Sequence, residues 1–150
     1  MRFIPFTYII IILLISLSAC DERYAKLSQS DLNEIISTSL DHPPVFQMLH
    51  KKEGDSLILF KENNDSIYIS DVKSLKWKLK ISTVPFRKDR FNIDDWPEIS
   101  ELAVIGSIKE SANRTVELDI FFMRLGLMAH YNLKKNKGKW IVENLDWGFF

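Results

Sequence analysis

The chain has little of what small proteins use for chemistry. Its 150 residues include one cysteine, Cys20, and three histidines, His42, His50 and His130. A lone cysteine closes no disulfide within the chain, so the fold must rest on packing alone. The histidines show no His-x-x-x-His spacing, which leaves no sequence case for a metal site. Five glycines form no phosphate-cradling loop, and no serine stands in a nucleophile elbow. Twenty basic residues balance twenty acidic ones, whereas nucleic-acid binding calls for a basic excess. These absences leave no expected cofactor, no metal, no nucleic-acid partner and no assigned catalytic residue.

One long apolar run stands out. Met1 and Arg2 are followed by Phe3 to Leu17, broken early by Pro5 and Thr7, and the run closes on Leu17-Ser18-Ala19-Cys20. It is shorter than the ~20 apolar residues that a membrane-spanning helix needs. Small residues before a cysteine resemble the lipobox of bacterial lipoproteins. The resemblance implies that residues 1–19 are a signal peptide, that Cys20 is acylated, and that the mature chain is held to a membrane of the cell envelope. A plainly secreted chain and an uncleaved anchor are the alternatives. Asp21 and Glu22 resemble both an inner-membrane retention signal and a surface-export signal, so neither the membrane nor its face is decided.

Residues 20–30 read as a lipidated tether, and residues 31–150 as a single α+β domain. A helix is expected from Asp31 to Leu40, with Asp31 and Glu34 as its capping box and Leu32, Ile35, Ile36 and Leu40 as its buried stripe. Asp41-His42-Pro43-Pro44 stops it. Strands are expected at Ser56–Lys61, Ile67–Ser70 and Leu75–Ser82, the last with its odd positions inward and lysines outward. Pro85–Pro97 reads as a loop whose Phe86, Phe91 and Trp96 cover the core. A C-terminal β-meander is expected from Leu102–Glu110, Thr115–Met123, Met128–Lys135 and Lys139–Asp146.

The hairpin around Leu125-Gly126 is expected to pair Leu118 with Leu133, Ile120 with Tyr131 and Phe122 with Ala129. On its other face Glu117 would stand across from Lys134, Asp119 from Asn132 and Phe121 from His130. A helix followed by a mainly antiparallel sheet resembles the cystatin-like and NTF2-like folds. The ending Tyr131 to Val142 resembles the last hairpin of many small envelope lipoproteins, a likeness that implies no activity.

Two surfaces carry the remaining expectations. Glu117, Asp119, His130, Asn132 and Lys134 share one sheet face, a candidate binding site or, with Asp119 and His130, an acid/base pair. Trp140 and Val142 could partly cover that face. Lys76, Lys78 and Lys80 form a candidate membrane-facing row, or an edge strand guarded by lysine. Asp55-Ser56-Leu57 and Asp65-Ser66-Ile67 resemble O-glycan acceptors, and Asn113-Arg114-Thr115 matches the N-glycan sequon. The expected partners are the membrane, through lipid on Cys20, and an envelope protein or small ligand. A small acid/base enzyme and an immunity-type lipoprotein are the alternatives.

Overall fold

The computed structural model describes residues 27–61, 69, 71–83, 86–87, 92–96, 98, 100–111 and 114–150. The signal segment, Cys20 and the tether as far as residue 26 lie outside the described residues. So do Phe91, Asn113, Ser66 and most of the expected strand Ile67–Ser70, of which only Ile69 is described.

Two helices precede the sheet, α1 (Gln29–Leu40) and α2 (Pro43–Met48). The capping box of α1 sits one turn earlier than expected. Ser28 Oγ accepts from the Asp31 amide at 3.1 Å, and the Asp31 carboxylate accepts from the Ser28 amide at 3.3 Å. Ser28 and Asp31 have the spacing the motif needs, which frees Glu34 to accept from the Trp140 amide at 3.1 Å. Pro43 and Pro44 do end α1, and they also open α2, where their missing donors cost nothing.

Six strands follow: β1 (Ser56–Lys61), β2 (Lys78–Ile81), β3 (Ser100–Ser111), β4 (Thr115–Phe122), β5 (Leu127–Asn136) and β6 (Lys139–Phe149). They form one sheet in the order β2-β1-β3-β4-β5-β6. The sheet is mixed. β1 runs parallel to both β2 and β3, and β3 to β6 form the antiparallel meander.

β2 is shorter than the alternation from Leu75 to Ser82 suggested. Leu75 is 96% exposed, in a bend before the strand. Asp41, the C-cap of α1, explains the bend: it accepts from the amides of Leu75 (2.8 Å) and Lys76 (3.3 Å) and from the Ser74 hydroxyl. Those bonds divert the chain until Trp77, whose ring Nε1 donates to the Leu40 carbonyl at 2.9 Å.

One sheet face is covered by the helices. Ile35, Ile36 and Leu40 of α1 and Val45 and Phe46 of α2 meet Leu57, Leu59, Ala103, Ile105, Leu118, Ile120 and Tyr131, all buried. Leu27 packs against the same core, so the folded domain begins before residue 31. Among the described residues, the cover on the other face lies over β1 and β3, where Phe86, Ile93 and Trp96, with Phe121 and Met123 at the edge, pack on Ile58, Phe60, Leu102 and Val104. Trp140 and Val142 belong to the helix-covered core, and so they do not shield the opposite face of β4 and β5.

Candidate functional site

The open part of the second face is built by β4, β5 and β6. Its alternation is the expected one, with Val116, Leu118, Ile120 and Phe122 buried and Glu117, Asp119 and Phe121 half-buried between them. The pairing differs by two residues. Leu118 lies across from Tyr131, Ile120 from Ala129 and Phe122 from Leu127, because Met123 to Gly126 form a four-residue turn. On the polar side Glu117 faces Asn132, Asp119 faces His130 and Phe121 faces Met128. Lys134 lies across from Thr115 and pairs with Glu143 of β6 at 3.6 Å rather than with Glu117.

That shift brings the acid/base pair into contact. His130 Nδ1 lies 2.7 Å from Asp119 Oδ1, with the side chains 35% and 24% exposed. The second carboxylate oxygen accepts from the Ser107 hydroxyl at 2.6 Å. Ser107 was not among the sequence candidates. It reaches this face through a register shift in β3 between Ile105 and Ile108. Gly106 inside an otherwise apolar strand was the available sign of such a bulge. A Cβ on Gly106 would stand 2.3 Å from the Phe121 ring, so glycine is what lets that ring lie against β3. Phe121 in turn meets Phe150 edge-on, with centroids 5.3 Å apart, and walls one side of the patch.

The order of the three groups decides their chemistry. Asp119 stands in the middle, bonded to both Ser107 and His130. In a nucleophilic triad the imidazole stands in the middle and takes the proton from the hydroxyl. Here the hydroxyl donates to the carboxylate, so the imidazole does not activate Ser107. Asp119 instead orients His130, and His130 Nε2 has no protein partner among the described residues. On β6, Asp146 lies across from His130 and Asn144 across from Asn132, and Asn144 Nδ2 donates to Asp146 at 2.8 Å. The arrangement offers a ligand an oriented ring nitrogen, a carboxylate and an amide in one row.

The other histidines are remote from this row. His42 caps α2, and burial, aided by the Lys76 charge, holds its imidazole below the usual range. His50 lies in the left-handed region just after α2. Among the described residues, no three His, Cys, Asp or Glu side chains cluster to hold a metal ion. Lys78 and Lys80 are exposed on the edge strand β2. Lys76 precedes it, pairs with Glu53 at 3.5 Å and lies over the Phe46 ring at 5.4 Å. The three lysines therefore do not form one row. Ser56 sits where β1 pairs with both β2 and β3. No described helix is long and apolar enough to cross a membrane.

Neither the protein-family models, the curated proteins nor the solved structures contain a match to this chain.

Proposed function

We propose that this chain is a lipid-anchored protein of the bacterial cell envelope whose α+β domain binds a partner or small ligand near the membrane. The anchor rests on Leu17-Ser18-Ala19-Cys20 at the end of the apolar leader. Binding rests on the oriented Ser107–Asp119–His130 row, which lies on a sheet face that neither helix covers. Helix α1 with β3–β6 is the portion on which a cystatin-like or NTF2-like kinship rests, and the parallel β2-β1-β3 part is additional to it.

The anchor is tested by metabolic palmitate labelling with and without globomycin. The expected result is a labelled mature chain, an accumulated precursor under the drug, and no label on Cys20→Ala. Normal processing of an unlabelled wild-type chain under globomycin would overturn it. The binding face is tested with a photo-crosslinking residue at Asn132 and, as control, at Lys52. Adducts at position 132 alone, lost when Asp119→Ala is added, are expected. Equal adducts at both positions would remove the face from consideration. A second reading, a small acid/base enzyme, draws on the 2.7 Å contact between Asp119 and His130. It would use His130 as the proton carrier and Asp119 to orient it.

A further inference from the structure

We propose that the tip of the β5–β6 hairpin, together with Arg114 just ahead of β4, rests on the anionic phospholipid headgroups of the membrane. The inference builds on the lipid anchor at Cys20 and says which end of the domain faces the bilayer.

The first observation is where the described chain begins. Leu27 packs on the core and Ser28 caps α1. One turn later the Asp31 carboxylate accepts from Lys135 Nζ at 2.5 Å and from Trp140 Nε1 at 2.9 Å. These bonds pin the start of the domain to the β5–β6 hairpin. The stretch from Cys20 to Leu27 reaches at most about 25 Å. A lipid on Cys20 therefore holds this end of the sheet toward the bilayer.

The second observation is the charge at that end. Arg114, Lys137 and Lys139 are all exposed, and none has an ion-pair partner among the described residues. The nearby acids are engaged within the protein: Asp31 with Lys135 and Trp140, Glu34 with the Trp140 amide, and Glu143 with Lys134. Glu110, next to the last residue of β3, and Glu117, across from Lys109, are half-buried rather than fully exposed. The exposed charged side chains without an ion-pair partner among the described residues at the tip are thus cations. Lys137 and Gly138 have φ of 48° and 84°, a two-residue turn in which asparagine is the usual first residue. Arg114 also lies at positive φ, 59°. Basic residues occupy both of these positive-φ positions, where asparagine or glycine would fit the backbone more easily.

Lys78 and Lys80 do not compete for this role. They lie beyond the other end of α1, whose Leu40 carbonyl meets Trp77, and α1 spans about 18 Å. Each basic residue near an anionic surface strengthens association about fivefold, so three give about a hundredfold at low salt.

The test uses the processed protein, extracted from membranes and reconstituted into vesicles with or without phosphatidylglycerol in phosphatidylcholine. Amine-reactive labelling is read lysine by lysine by mass spectrometry. Lys137 and Lys139 are expected to react several-fold more slowly on the anionic vesicles, with Lys78 and Lys80 unchanged, and the protection should vanish in high salt. Suppose palmitate labels the chain but Lys137 and Lys139 react alike on both vesicles. The anchor then stands and this surface falls. Suppose instead that palmitate labelling fails, yet the purified chain sediments with anionic vesicles and protects the same two lysines. The surface then stands without the anchor.

Discussion

Two carboxylates carry opposite pH signatures because their surroundings differ. The Lys135 ammonium, with the Ser28 hydroxyl and the Trp140 ring N–H, pulls the Asp31 carboxyl far below its ordinary value of 3.8. The folded chain therefore binds fewer protons there than the unfolded one, so stability from Asp31 is present above pH 3.8 and is lost as pH falls below it. Asp31→Asn is expected to lower stability at pH 7 by about 1–2 kcal/mol and to flatten the acid limb of a urea-unfolding series. Unchanged stability would mean that the Lys135 bond is not formed in solution. Glu101 runs the other way. It is 1% exposed on the helix-covered face of β3, and burial raises its carboxyl above the ordinary 4.5. Amide bonds from Leu102 and Arg124 and the charges of Lys51 and Arg124 offset this only in part. Between pH 4.5 and that raised value the folded chain holds the extra proton, so stability falls as pH rises through this window. Glu101→Gln removes the ionised form, and it should match or exceed the wild type at pH 7 while losing this slope. A variant clearly weaker at neutral pH would show that the buried charge is well paired.

The elements depend on local devices that hydrophobic alternation does not report. The bulge in β3 is held open by Gly106, and Gly106→Ala is expected to cost about 1–3 kcal/mol by driving a methyl group into the Phe121 ring. Pairing it with Phe121→Leu should recover part of the loss, and additive costs in the double-mutant cycle would rule out that contact as the cause. The β4–β5 hairpin shows how far a pattern can be read. A slip of two residues keeps every side chain on its own face, so polarity alone could not separate the expected pairing from the observed one. What separates them is the turn: closing it over Met123 to Gly126 puts Asp119 across from His130. The carboxylate–imidazole pair was thus legible as a shared face, though not as a contact. Ser107 was not legible at all, since its place depends on the bulge. The strand Ser56–Lys61 matched to the residue, because Gly54-Asp55 turns the chain directly ahead of its apolar run. The start of β2 was misjudged because Asp41, more than thirty residues away, takes the amides of Leu75 and Lys76.

At the scale of the molecule, the two faces of one sheet are sealed very differently. The helix face holds a continuous core that reaches from Trp77, before β2, to Trp140 in β6. The second core has its buried residues on β1 and β3, with Phe121 and Met123 at its edge, and part of its cover is a segment with no strand or α-helix among its described residues. Trp96 lies over it, edge-on to Phe60 with centroids 4.8 Å apart. The lid is fastened by Arg124, whose guanidinium donates to the carbonyls of Trp96 at 3.1 Å and Ser100 at 2.7 Å. A small core closed by partly exposed side chains should open at lower free energy than the sheet itself. Trp96→Ala is therefore expected to lower global stability by only about 2 kcal/mol, below the range for fully buried tryptophan. In native-state hydrogen exchange it should speed the amides of β1 and early β3, while those of β4 and β5 beneath Asp119 and His130 keep their protection. Acceleration spread evenly over all six strands would show that lid and sheet open as one unit. Local acceleration would instead mean that the polar row stands on the most durable part of the fold, a platform suited to holding His130 Nε2 in a constant direction.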